Sequence, residues 1–161
     1  MTFYLLPASP PADALAVQEA LVCDLACSLW RQDQRLLIAC ENQVQAYRLD
    51  EALWQRPLHR FVPHALAGEN LRNKAPIEIH WPEQPLSSGR TLLIALLPHW
   101  VEFSSRFTQV IDFVPNEQAL KQLARQRYHA YRQAGFQLTT AEPPPSLTDD
   151  DHGKNIQPPS D

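Results

Sequence analysis

The chain has 161 residues, 44% hydrophobic and 20% charged, which suits one domain with a core that needs neither disulfides nor metals. Its net charge of −4 is localised: residues 141–161 hold five acids and one base, while the other 13 acids and 13 bases balance. A neutral body excludes the broad basic surface of a strong direct nucleic-acid binder, and no apolar run reaches the ~20 residues of a membrane span.

Thr2–Leu6 opens the chain as a short apolar strand. Ser9, Pro10, Pro11 and Asp13 are helix-start signals, and Leu15, Val22, Leu25, Ala26 and Leu29 follow near a 3.6-residue period over Ala14–Trp30. Arg35–Cys40 (RLLIAC) reads as a fully buried strand. Glu41 and Asn42 supply a dipole-favoured acid and a cap for a helix that runs to about Trp54 and stops before Pro57. Phe61–His64 is a short extended piece, Ile77–Trp81 a strand stopped by Pro82, and Ser87–Arg90 a loop. Thr91–Leu97 (TLLIALL) is a second buried strand, and Val110–Val114 a third, closed by Pro115. Asn116 caps a last helix through Ala134, with Gly135 as its left-handed terminator and Phe136–Thr140 as a final short strand. Residues 1–140 therefore form one α/β domain, Rossmann-like, with a mostly parallel sheet and helices on both faces. Residues 141–161, with five prolines, four aspartates and only Leu147 and Ile156 as bulky aliphatics, cannot offset their ordering entropy and read as a disordered acidic tail.

The glycines exclude the usual ligand of such a sheet. A nucleotide-binding loop needs glycine after a strand so that N–H groups can approach phosphate. Here the first strand runs into Pro7-Ala8-Ser9-Pro10-Pro11, and the four glycines (68, 89, 135, 153) form no phosphate-loop pattern. Without that turn, Glu41 reads as a helix-start residue and not as a ribose ligand. No cofactor is expected.

No catalytic constellation stands out. Cys23 and Cys27 share a helix face but lack two further zinc ligands, and Cys40 lies in a strand, so all three read as core. Three cysteines without paired spacing, and an N-terminus without a positive leader region, point to a reducing, cytoplasmic setting. The six histidines are scattered, and His64 beside Pro63 reads as a structural or contact residue. GxSxG, HExxH and CxxC are all absent.

The last helix carries the clearest pattern. Leu120, Leu123, Ala124, Tyr131 and Ala134 fit a core face, while Lys121, Arg125, Tyr128 and Arg132 form a second row at helical steps, flanked by Arg127 and His129. No acid occurs from Gln118 to Thr140. Such a row suits capture of an acidic peptide with a terminal carboxylate and an apolar anchor. It also suits DNA phosphates, and by pattern alone a solvated basic helix face is the simpler reading. On the second helix, Ala46, Leu49 and Leu53 face the core, whereas Tyr47 and Trp54 lie elsewhere, followed by Phe61-Val62-Pro63. These aromatics are either core or a partner patch.

Four strings taken together, TFYLL (2–6), LIACENQVQAYRLDEALWQRP (37–57), FVPHALAGE (61–69) and VIDFVPNEQALKQLARQRYHAYRQAGF (110–136), strongly resemble the chi-subunit family of the bacterial DNA polymerase III holoenzyme over roughly residues 1–140. The resemblance implies a non-catalytic accessory protein of the clamp-loader complex with a Rossmann-like fold and no nucleotide. It implies pairing with the psi subunit through Trp54, Phe61, Pro63 and His64. It implies binding of the acidic C-terminal tail of single-stranded DNA-binding protein through Lys121, Arg125, Tyr128 and His129, with Arg132 completing the row and Arg125 the foremost carboxylate partner. A DNA-repair helicase is a further partner of the family, and DNA is met mainly indirectly. Position 129 is His where the family pattern leads one to expect Lys, and the Pro/Asp tail extends past the family's usual end. Two other classes compete with this reading: a direct single-stranded DNA-binding module, and a diverged Rossmann-type enzyme.

Overall fold

The computed structural model describes residues 1–7, 11–55, 62–69 and 75–143, with residues 11–16 described by backbone alone. In chain order the elements are β1 (Thr2–Leu5), α1 (Pro11–Arg31), β2 (Leu36–Ala39), α2 (Gln43–Gln55), β3 (His64–Leu66), β4 (Ile77–His80), β5 (Leu92–Ala95), a 3-10 turn (Glu102–Arg106), β6 (Gln109–Val114), α3 (Gln118–Gln133) and β7 (Thr139–Ala141). The seven strands make one sheet in the order β3-β4-β2-β5-β6-β1-β7, and every pairing in it is parallel.

The chain winds from β1 through β2 to β3 in one direction across the sheet, then returns through β4, β5 and β6 to β7. Right-handed crossovers put helices of opposite winding directions on opposite faces. Two apolar cores follow. Leu36, Ile38, Ile77, Ile79, Leu92 and Ile94 pack with α1 and α2 on one face. Phe3, Leu37, Leu93, Val110 and Tyr131 of α3 pack on the other. Burial on both faces is why β2 and β5 each read as unbroken Leu-Leu-Ile-Ala runs.

Local chemistry sets the helix starts. Asn42 Oδ1 accepts from the Gln45 amide at 2.9 Å while Gln45 Oε1 accepts from the Glu41 amide at 2.7 Å, a reciprocal cap for α2. At α3 the cap is Glu117, not Asn116: its extended backbone lets the carboxylate accept from the Ala119 amide at 3.1 Å, where the helix dipole also favours an anion. Gly135, at φ +100°, ends α3 in the left-handed region as its sequence position predicts. The third strand begins at His64, later than the extended piece expected over 61–64, because Pro63 has no N–H for a ladder. Phe61 lies outside the described residues. Ala141, grouped by composition with the tail, is the last residue of β7 and pairs with Tyr4.

Two buried arginines tie the edges together. Arg90 donates to the carbonyls of Leu36, Pro76 and Ala75 and to Ser87 Oγ, with Glu78 at 3.6 Å. It thereby gathers the amino ends of β2 and β4. Burial lowers its pKa in spite of Glu78. Arg127 plays the matching part for α3. The three cysteines are buried, and burial pushes the Cys40 thiol far above its ordinary value, so it is an inert core group.

Candidate functional site

The face that α3 turns to the sheet is set by Ala124, Arg127 and Tyr131, the helix's buried residues. This differs from the expected core face. Leu120 is 41% exposed and Ala134 is the exposed C-cap residue. Arg127 takes the central position because Asp112 of β6 lies opposite it. Its Nε donates to Asp112 Oδ2 at 2.9 Å and its Nη2 to Asp112 Oδ1 at 3.2 Å. The carbonyls of Pro98 and Phe113 accept from the remaining guanidinium N–H groups. Arg127 is therefore spent on anchoring the helix, and the candidate binding row is built without it.

Lys121, Arg125 and Tyr128 lie together beside that anchor. With Phe3 of β1, Val114 of β6 and Ala124 they line a pocket of about 280 Å³. Its floor is apolar because parallel β1 and β6 place Phe3 and Val114 under the helix. Tyr128 forms one wall, its ring 5.4 Å from that of Phe3. Lys121 is half-buried at the rim and Arg125 is exposed. Arg125 Nη1 donates to Gln122 Oε1 at 3.3 Å, a neutral contact that a carboxylate would outcompete. A cavity of about 150 Å³ suffices for a benzene ring. The pocket thus admits an aromatic side chain under a cationic rim. Arg132 stacks its guanidinium 5.5 Å from the Tyr128 ring centroid, so it reaches the site through that ring. His129 is exposed, with its ring 6.4 Å from Tyr128 and edge-on to it, and it does not line the pocket.

A second surface lies on α2, across the sheet. Val44 is 71% exposed, Tyr47 48% and Trp54 58%. Trp54 rests edge-on against the His64 ring at 4.9 Å. His64 is anchored on one side: Nδ1–H donates to the Val62 carbonyl at 2.7 Å, while Nε2, buried without a hydrogen-bond partner, lies 3.2 Å from Asp50 Oδ1. The Val62 bond sets the orientation of the ring against which the indole rests. Pro63 is half-buried next to it.

The crevice beyond the carboxyl ends of β2 and β5, where doubly wound sheets commonly hold ligands, contains a pocket of about 390 Å³. Cys40, His80, Leu86, Leu97, Val101 and Phe103 are among its lining residues, and His80 Nε2 is engaged by the Gln84 carbonyl at 2.9 Å. No glycine, lysine or arginine is found in its described lining.

Comparison with known proteins decides the family. The family model described as DNA polymerase III chi subunit, HolC, matches residues 1–139. The chain belongs to the DNA polymerase III chi-subunit family. It is 56% identical over 140 residues to the DNA polymerase III subunit chi of Escherichia coli (strain K12), covering 87% of this chain and 95% of that protein. It is 47% identical over 122 residues to the chi subunit of Haemophilus influenzae, covering 76% and 85%. The Pseudomonas aeruginosa chi subunit is 34% identical over 136 residues, covering 84% and 91%. Among solved structures, T4 UvsW matches with a TM-score of 0.56 at 11% identity over 88% of this chain and 40% of that one, a likeness of fold alone. Membership of the chi family places the chain in DNA replication as a polymerase III accessory subunit.

Sequence reasoning missed the apolar lining of the candidate site, Phe3, Val114 and Ala124, and the anchoring part of Arg127 beside it. Phe3, its floor, is adjacent to α3 only through the β6-β1 pairing. Arg127 read as a flanking surface cation until Asp112 came opposite it.

Proposed function

We propose that this chi-family chain is a non-catalytic connector of the clamp-loader assembly. The α3 pocket captures the acidic C-terminal tail of single-stranded DNA-binding protein, and the α2 face around Trp54, with Phe61, Pro63 and His64, meets the psi subunit. The observation that carries the reading is the joining of Lys121 and Arg125 to a pocket floored by Phe3 and walled by Tyr128. A terminal carboxylate pairs with the guanidinium and ammonium, and a terminal ring enters beneath them. His129 and Arg132 add positive character at the margin. The affinity expected is micromolar, roughly −7 to −8 kcal/mol, and sensitive to salt. Many tails on one coated strand raise the effective concentration, so weak single contacts suffice for a handover between partners. In this role the chain meets DNA indirectly and works in the cytoplasm; the repair helicase is a further partner of the α2 surface.

The test is fluorescence anisotropy of a labelled acidic peptide ending in a free-carboxylate phenylalanine, titrated with the wild type and with Arg125→Ala. Micromolar binding that is lost in the variant supports the reading. Unchanged binding in the variant moves the site elsewhere. Tight binding of bare single-stranded DNA at moderate salt, with no peptide binding, would favour the direct DNA-binding class.

A further inference from the structure

The family match ends at residue 139, and the alignment to the E. coli relative covers 95% of that protein but only 87% of this chain. The segment beyond residue 139 lies outside the family match. Residues 144–161 carry Asp149, Asp150, Asp151 and Asp161 against a single Lys154, with Leu147 just before the aspartate run. Acid next to an apolar residue is the chemistry that the α3 pocket takes, and residues 118–140 contain no acid to repel it.

Topology brings the two together. β6, β1 and β7 are parallel neighbours, so all three end at one edge of the sheet. α3 starts at Gln118, four residues after β6 ends at Val114, so its first turns, with Lys121 and Arg125, stand at that same edge. β7 ends there at Ala141, two strand positions from β6, or about 10 Å away. The eight residues from Ala141 to Asp149 span up to about 27 Å. The aspartate run thus has ample reach to the cationic rim.

We propose that residues 144–161 occupy the α3 pocket and compete with the incoming acidic peptide, an inference that rests on the peptide-capture reading of that pocket. A tethered segment is present at an effective concentration on the order of millimolar. A segment of about millimolar intrinsic affinity then fills the site in roughly half of the molecules or more, and lowers the apparent affinity for a peptide about two- to tenfold.

The test uses the full chain and its triple variant Asp149→Asn, Asp150→Asn, Asp151→Asn, with two readouts. Backbone amide NMR shifts of Lys121, Arg125 and Tyr128 are compared without peptide, and the labelled-peptide affinity is measured by anisotropy. The expected result is a shift of the α3 amides between the two chains and a two- to tenfold tighter peptide affinity in the variant, both differences shrinking as salt is raised. Identical α3 shifts in the two chains overturn the proposal whatever the peptide does. Shifted amides with an unchanged peptide affinity overturn the competition. Shifted amides with no peptide binding in either chain would support docking of the segment and reject the peptide-capture reading instead.

Discussion

Arg127 and Asp112 form a buried two-point ion pair, at 2.9 and 3.2 Å, that fastens α3 to β6. The pair fixes the rotation of α3 about its axis. Arg125, two residues away, is thereby turned outward to the pocket rim while Arg127 faces the sheet. The two arginines consequently have opposite mutational signatures. Arg127→Ala strips the counter-charge from a buried carboxylate and is expected to cost about 3–5 kcal/mol. Arg125→Ala, at an exposed position, stays within about 0.5 kcal/mol of wild type. Urea denaturation of both variants checks this; a comparable loss from Arg125→Ala would mean that the rim residue is structural.

The same pair predicts a pH dependence. Burial pushes the Asp112 carboxyl up to about 6 from 3.8, against the pull of Arg127 and of the Phe113 amide. A folded pKa above the unfolded value means that the folded state binds the proton more tightly. The stability this group contributes is therefore fully present below about pH 4, is lost as pH rises to about 6, and is flat above that. Over that window the change amounts to about 3 kcal/mol at most. The advantage of wild type over Asp112→Asn is expected to be larger at pH 4 than at pH 7, measured by denaturant midpoints across that range. An advantage that grows with pH would mean that the attraction of Arg127 outweighs burial.

Residue runs carried most of the fold. β2 and β5 are buried on both faces, so their Leu-Leu-Ile-Ala sequences are unambiguous, and the capping pair Asn42–Gln45 is local chemistry that a sequence displays. His64-Ala65-Leu66 carries no strand signature of its own; it becomes a strand by pairing with β4. The cationic row Lys121, Arg125, Tyr128 and Arg132 was legible because helical spacing is periodic. The pocket beneath it was not, since Phe3 lies more than a hundred residues away in sequence. Arg127 was illegible for a related reason: a helical arginine reads as solvated unless the anion facing it from another element is known.

Inside the pocket, shape and charge separate by mutation. Tyr128→Ala removes the wall that packs on Phe3 and also the ring under Arg132. It is expected to weaken the acidic peptide by about tenfold, in line with losing one well-packed aromatic contact. The remaining affinity keeps its salt dependence. Arg125→Lys retains the charge but not the planar fork, so it recovers only part of the loss caused by Arg125→Ala. Anisotropy titrations at two salt concentrations distinguish the roles. A Tyr128→Ala chain with a flattened salt response would assign the tyrosine to the electrostatic term instead.

The two candidate surfaces sit on opposite faces of the sheet, α2 with one apolar core and α3 with the other. Among the described residues the two surfaces share no side chain. Coupling between the sites is therefore expected to be small. Trp54→Ala should abolish psi binding. The indole is 58% exposed and its edge contact is with a histidine bonded independently to the Val62 carbonyl, so the fold should lose less than about 1 kcal/mol. The same variant should leave the acidic-peptide affinity within about twofold of wild type, as should saturation of the wild type with psi, since a twofold change corresponds to only about 0.4 kcal/mol of coupling. Titrating the labelled peptide into the chain with and without psi measures that coupling directly. A shift of tenfold or more would mean that the sheet transmits one binding event to the other face, and the chain would then be a switch between its partners instead of a passive bridge.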